Sequence, residues 1–238
     1  MSESDRSSAV IITRPEPGAS ETARRVEAMG FAPVVAPLLE IRSFPLRLPP
    51  PGRLVAVLLT SGNAVGSLPA SLCAMPVLAV GAATASRARQ AGFTDVASAD
   101  GDAVALAALV RERIGPNEGT LLLAAGHGQS LALAAELRAS GYRVARRVAY
   151  KAIPVARLPE PARVALLDRR SRFVLLFSAE TARHFVRLVR QAGLLRALSD
   201  CVAITIGPQA AMALRDLPWA RIHVAAKPTQ DEMLALLL

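Results

Sequence analysis

The hydroxyls, glycines and cations of this chain gather where its apolar runs stop. Six such places read Thr13-Arg14-Pro15, Thr60-Ser61-Gly62-Asn63, Gly81-Ala82-Ala83-Thr84, Ala125-Gly126-His127-Gly128, Ser178-Ala179-Glu180 and Gly207-Pro208-Gln209. Acids are nearly absent from them. Small residues let backbone N–H groups at a helix start approach an anion, and hydroxyls add further donors. A plainer reading competes, because Ser61, Ser178 and Thr229 are also good N-caps. Taken singly each is better explained as a cap; taken together the six ends point to the binding of an acidic small molecule.

Other chemistries are excluded by what is missing. There is no G-x-x-x-x-G-K-[ST] loop, and no G-x-G-x-x-G follows a strand. Gly126-His127-Gly128 resembles a fragment of the second, but no glycine completes it. The clustered strand-end aspartates of a magnesium-dependent receiver are absent. His127, His184 and His223 are isolated, which argues against a metal centre or a histidine-based triad. His184 reads as a surface residue of an amphipathic helix, and Cys73 and Cys201 as packed hydrophobes. Of the two tyrosines, Tyr142 follows a helix-ending glycine and reads as packing. Tyr150 ends a strand at the edge of the second repeat, where spacing leaves packing and catalysis equally open.

The elements that must position these groups alternate short apolar strands with Ala-rich amphipathic helices, the α/β pattern. Strands are expected at Ala9–Thr13, from Val34, at Val55–Thr60, Val77–Gly81, from Thr120, at Arg143–Tyr150, Phe173–Phe177, Val202–Ile206 and Ile222–Ala225. Helices are expected from Ser20 as cap to Gly30, over Ala103–Ile114, before Gly141, over Thr181–Gln191 and Gln209–Leu214, and from Thr229, where Glu232 completes a capping box. Pro45–Gly52 is a proline-rich connector. An internal duplication underlies the pattern. The stretch from Thr13 to Gly30 matches that from Ala124 to Gly141, with a separation of 17 between the end residues in each. LLTSGNAV (58–65) matches LLFSAETA (175–182), LAVGAATA (78–85) matches ITIGPQAA (204–211), and 98–110 matches 225–237 in the same order. Two similar parallel-sheet domains, each flavodoxin-like, follow from this, with ligand expected at the carboxyl ends of their strands.

Composition fits that reading. The chain has 238 residues, 52% of them hydrophobic, and only two cysteines, so disorder and a disulfide-stapled secreted fold are excluded. No apolar run approaches the ~20 residues that span a bilayer. The polar start, Met1–Ser8, is unlike a targeting peptide, so a cytoplasmic location and no membrane partner are expected. Only two of 28 basic residues are lysines, and the net charge is +9. Arginine forks suit carboxylates and phosphates. They are scattered here and aromatics are 4%, which argues against nucleic acid.

In order and at compatible spacing, ITRP (12–15), LTSGNAV (59–65), AVGAATA (79–85) with AGF (91–93), the VAY of Val148–Tyr150, FSAETA (177–182), IGP (206–208) and KPTQDEML (227–234) resemble the uroporphyrinogen-III synthase family. The resemblance runs from about Val10 to the C-terminus. It implies two flavodoxin-like domains joined by a two-stranded linker, with the active site in the cleft between them. It also implies a discontinuous first domain, 1–36 plus 152–238, a second over 43–145, and linker strands over 37–42 and 146–151. Duplication alone would divide the chain near Gly115.

The implied substrate is hydroxymethylbilane, a linear tetrapyrrole with eight carboxylates. The implied reaction is its cyclisation with inversion of ring D and loss of water, without cofactor; a monomer is expected because no strand edge or helix face stands out as an interface. Positioning of a floppy substrate can supply roughly 7–11 kcal/mol. Tyr150 aligns with the tyrosine assigned as proton donor, and a phenol keeps its proton at neutral pH. Ser61, Asn63, Thr84, Ser178 and Gly207 carry over as carboxylate contacts. Thr13, Gly81 and Gly126 join them as strand-end positions, and Arg14 and Lys227 as assisting charges. Two departures stand out. Gln209-Ala210 replaces the threonine usual after Gly-Pro, so Gln209 would supply that contact, and the hydroxyl pair before the second-repeat helix is reduced to Ser178. The competing readings are a non-catalytic binding protein or a regulatory protein for an acidic metabolite.

Overall fold

The computed structural model describes residues 8–50 and 52–238. The amino-terminal residues read above as polar, apart from Ser8, lie outside that range, as does Pro51 of the connector. The chain forms two compact units, one from residues up to Glu40 together with Ile153–Leu238, the other from Ile41–Ala152.

The first unit is built on a five-stranded sheet of β1 (Ala9–Ile12), β2 (Ala32–Val35), β9 (Ser171–Leu176), β10 (Val202–Thr205) and β11 (Arg221–Val224), in the order β2-β1-β9-β10-β11. All its pairings are parallel. Helices α1 (Gly18–Ala28), α5 (Glu160–Leu167), α6 (Ala179–Gln191), α7 (Pro208–Met212) and α8 (Gln230–Ala235) complete it. Alternate residues of each central strand serve opposite faces. Ile11, Val174 and Leu176 pack with α5 and α6, whereas Val10, Ile12 and Leu175 pack with α1 and α8. Phe185 of α6 is fully buried, worth roughly 1.5–3 kcal/mol of burial.

The second unit holds β3 (Leu39–Ser43), β4 (Leu54–Leu59), β5 (Val77–Ala79), β6 (Val96–Ser98), β7 (Thr120–Gly126) and β8 (Arg143–Pro154), ordered β3-β8-β7-β4-β5-β6. Its helices are α2 (Ala82–Gln90), α3 (Ala103–Arg113) and α4 (Leu131–Ala139). Apart from the edge pair β3–β8, neighbours are parallel. The duplication explains the order. Strand β7 matches β1, β4 matches β9 and β5 matches β10, so β8-β7-β4-β5-β6 is β2-β1-β9-β10-β11 with the chain entering at a different strand. In both sheets the direction of connection reverses at the middle pair, β1/β9 and β7/β4, which opens a crevice at their carboxyl ends.

Several expectations are corrected. Helix α1 starts at Gly18 rather than after Ser20, because the Glu16 carboxylate accepts from Ser20 N–H at 3.0 Å and from its hydroxyl at 2.7 Å, bringing Ser20 into the first turn. Helix α5 had no counterpart in the sequence reading; prolines at 159 and 161 flank its start and obscure the periodicity. Strand β8 continues to Pro154 and is covered on its outer side by β3, so Tyr150 does not lie at a strand end. His184 is not a surface residue but only 7% exposed.

The His184 ring ties α6 to the chain entering the first unit. Its Nε2 lies 2.9 Å from Val155 O and its Nδ1 2.9 Å from Arg187 Nη2. An arginine can only donate, so Nδ1 accepts and Nε2–H donates. Burial holds its pKa below the ordinary 6.5; the bond to Val155 opposes this, the Arg187 charge reinforces it and Glu180 opposes it. A histidine kept neutral by the fold protonates first in the unfolded chain. Its contribution is therefore complete above the unfolded value and is lost as pH falls through and below it. Urea unfolding between about pH 7 and pH 5 should show falling stability, with a shallower fall for His184→Gln; identical slopes would remove His184 as the cause.

Candidate functional site

In the second unit the site is assembled around the turn that follows β7. Gln129 N–H donates to Gly126 O at 3.0 Å and His127 N–H to Tyr150 O at 2.8 Å, closing the turn on itself and on β8. Arg146 donates from Nε to Gln129 O at 2.8 Å and from Nη2 to Gly126 O at 3.2 Å. Thr60 and Ser130 hydroxyls meet at 2.8 Å across the β4/β7 crevice. The Tyr150 phenol donates to Gln129 Oε1 at 2.9 Å.

A register shift aims that phenol. Ala125 pairs with Val148 but Gly126 with Tyr150, so Ala149 is an extra residue in β8. Strict alternation would put Tyr150 on the face of Arg146 and Val144, which packs with Leu121 and Leu123. The bulge moves it to the opposite face, where it joins Leu122, Ala124 and Ala149. Arg146 and Tyr150 thus reach the same turn from the two faces of the sheet. Gly126 makes room for the Tyr150 ring and the Gln129 amide, since a Cβ there would lie 2.6 Å from Gln129 Oε1 and 2.8 Å from Tyr150 Cζ.

The remaining groups of this unit lie on the neighbouring strand ends. Ser61 caps the 3-10 turn Gly62–Ser67, accepting from Asn63 N–H at 3.3 Å. The Arg87 side chain covers Gly62, where a Cβ would stand 2.5 Å from Arg87 Cδ. Gly81 opens α2 with extended backbone and open space at its Cα, and Thr84 is buried in the first turn.

In the first unit Thr13 is fully buried, and its hydroxyl donates to Leu175 O at 2.6 Å. That hydroxyl fastens β1 to β9, and its hydrogen is already committed to Leu175 O. Arg14 is half-buried and ordered within its own unit. Its Nη1 donates to Gln230 Oε1 at 2.9 Å and Thr22 Oγ1 at 3.4 Å, and its Cζ lies 4.6 Å from the Phe177 ring centre. Ser178 caps α6 through Thr181 N–H at 3.0 Å, and the two hydroxyls lie 2.8 Å apart. A hydroxyl pair is therefore present at this helix start, one turn later than the sequence reading sought it. Gly207 precedes α7, and Gln209 and Lys227 are exposed.

The structure brings Ser61, Asn63, Gly126 and Tyr150 to one unit's crevice and Arg14 and Ser178 to the other's. Gln129, Arg146, Thr181 and Gln230 were missed. Gln129 stands one residue beyond the Ala125-Gly126-His127-Gly128 strand end, where the sequence reading stopped. Among the described residues no group of three or more His, Cys, Asp and Glu stands close enough to hold a metal ion, and no helix is long and apolar enough to cross a membrane.

Two doubly wound parallel sheets, with polar groups gathered at the crevices where strand order reverses, define a two-unit α/β protein of small-molecule chemistry. A family model described as uroporphyrinogen-III synthase HemD matches residues 20–235, and the chain belongs to that family. The uroporphyrinogen-III synthetase of Helicobacter pylori has the same fold: 20% identity, TM-score 0.62, covering 96% of this chain and 97% of that one. A mutant uroporphyrinogen III synthase of the extremely thermophilic bacterium Thermus thermophilus aligns at 21% identity and TM-score 0.48, over 97% of this chain and 96% of that one. No curated protein matches the chain.

The Gly126 approach yields a direct test. In Gly126→Ala the Gln129 amide can swing away, but the Tyr150 ring is packed and 3% exposed. Overpacking of this kind costs about 1–3 kcal/mol, to be read as a lower midpoint in urea unfolding. A midpoint equal to that of the native chain would show that the close approach is not required.

Proposed function

We propose that this member of the uroporphyrinogen-III synthase family cyclises hydroxymethylbilane to uroporphyrinogen III, inverting ring D and releasing water. The observation that carries the reading is the family match over nearly the whole chain, residues 20–235. The 2-1-3-4-5 spatial order of the first sheet, and its permuted counterpart β8-β7-β4-β5-β6 in the second, support reading each unit as flavodoxin-like, with β3 and β8 as the linker between them. Two free cysteines fit a cytoplasmic protein, and we read it as a monomer.

The residues fit the chemistry in kind. Hydroxide is a poor leaving group, so the terminal hydroxyl must take a proton as its bond to carbon breaks. Tyr150 supplies that proton from its phenol, and the hydroxyl departs as water. The substituted carbon of the last pyrrole then attacks the cation left behind, giving a spiro intermediate through which the ring is inverted. Ser61, Asn63, Thr84, Gly81 and Gly126 in the second unit, and Arg14, Ser178, Gly207, Gln209 and Lys227 in the first, bind the carboxylates and restrict the chain to the productive fold. Backbone N–H groups and hydroxyls suffice for that work, because orientation is what separates the inverted product from the uninverted one.

Incubation with hydroxymethylbilane, followed by separation of the isomers, should give the type III product; type I alone, as without protein, would overturn the reading. Tyr150→Phe should lower kcat by about 10²–10⁴-fold with KM little changed, and an unaltered kcat would remove Tyr150 from the mechanism.

A further inference from the structure

The phenol of Tyr150 is buried at 3% exposure, whereas Gln129, whose amide oxygen accepts its proton at 2.9 Å, is an exposed residue. The amide is thus a cap between the phenol and the outside. Its backbone is not free to move with it. Arg146 holds the carbonyls of Gly126 and Gln129, Gln129 N–H is bonded to Gly126 O, and Ser130 is bonded to Thr60. Gly128 and Ser130 adopt φ of 72° and 58°, the left-handed region, which serine rarely occupies. A rigid turn therefore presents a side chain that can rotate about its own torsions.

From this we infer that Gln129 is the positioning residue for the Tyr150 proton, a role that rests on the reading of Tyr150 as the acid. The phenol has one hydrogen to give, and in this structure it points at Gln129 Oε1. A neutral amide is the right acceptor for a proton that must later be released. It fixes the direction of the O–H bond, yet its bond is weak enough to be exchanged for the leaving hydroxyl. A carboxylate there would hold the same hydrogen in a charge-assisted bond about twice as strong. An aliphatic side chain would leave the buried hydroxyl without an acceptor and its direction unset. The amide also has a donor end, and Nε2 is the part of Gln129 that can follow a substrate carboxylate as the cap swings off. Arrival of substrate and release of the phenol are thereby coupled.

The test compares kcat and KM for the native chain, Gln129→Leu, Gln129→Glu, Tyr150→Phe and both double variants, with hydroxymethylbilane as substrate and the isomers separated. Gln129→Leu should lower kcat about ten- to a hundredfold, by more than any change in KM. Gln129→Glu, although isosteric, should be slower in kcat than Gln129→Leu. Neither substitution should lower kcat further once Tyr150 is phenylalanine, since a positioning residue cannot cost more than the group it positions. A glutamate variant at or above the leucine variant would overturn the proposal, because a residue that only shapes the turn would prefer the isostere. So would any further loss of kcat in the Tyr150→Phe background, or type III product formed at native kcat by Gln129→Leu. Type I product alone from the native chain would instead overturn the cyclisation reading, and this proposal with it.

Discussion

Between Val148 and Tyr150, β8 carries one residue more than the strand beside it, and the placement of the Tyr150 phenol follows from that mismatch. A parallel pair in register alternates its side chains together, so Tyr150 would share a face with Arg146. The extra residue, Ala149, turns the phenol to the other face, beneath the turn after β7. The turn can accept the ring there only because Gly126 has no Cβ. Once the ring is in place, its hydroxyl meets Gln129, and Arg146 grips the same turn from the opposite side. Bulge, glycine and clamp are one arrangement, and removing any of them changes where the proton points.

Hydroxyl side chains at the strand ends can cap a turn and still have a hydrogen to donate. Ser61, Ser178 and Thr229 each accept a backbone N–H within their own turn, at 3.3, 3.0 and 3.3 Å. Capping uses an acceptor lone pair and leaves the hydroxyl hydrogen. A carboxylate needs that hydrogen, so the two readings of these residues do not compete. Thr13 is different, because its hydrogen is already given to Leu175 O. Arg14 is different again: bonds to Gln230 and Thr22 and the face of Phe177 fix the guanidinium before any ligand arrives.

The inner strands β1, β9, β10, β4, β5 and β7 were legible because each is a short apolar run with both neighbours in the sheet, whereas the three-residue edge strand β6 and the polar helix α2 had no counterpart in the sequence reading. Helix α5 was not legible, since Pro159 and Pro161 interrupt the pattern that marks a helix. The burial of His184 was not legible either; a polar residue on a strongly amphipathic helix reads as outward until the partners at Val155 and Arg187 are seen. Within the site, the residue types at the strand ends were readable. What they touch was not. A bulge formed by an alanine leaves no glycine or proline to announce it, so RVARRVAY reads as unbroken alternation. Gln129 was hidden for a related reason: its importance lies in a bond to a strand 21 residues later, not in its spacing.

The duplicated plan poses a folding problem that β3 and β8 solve. The first unit pairs β1 with β9, and the Thr13–Leu175 bond joins residues 162 apart. The second unit is contiguous, so its core can form from one stretch of chain. When β3 and β8 pair, Phe44 N–H reaches Ala149 O at 2.8 Å and Val155 N–H reaches Leu38 O at 3.0 Å. Those two bonds run in opposite senses along the strands, as in an antiparallel staple. They bring together the ends of the segment inserted into the first unit, leaving roughly 45 residues of open chain between β1 and β9. Loop closure scales as (3/2)RT ln n, so this shortening lowers its cost by about 1 kcal/mol. The larger effect is one of order. The strand that carries Tyr150 has two neighbours with two roles: its register with β7 places the phenol, and its pairing with β3 closes the loop that prepares the first unit to assemble.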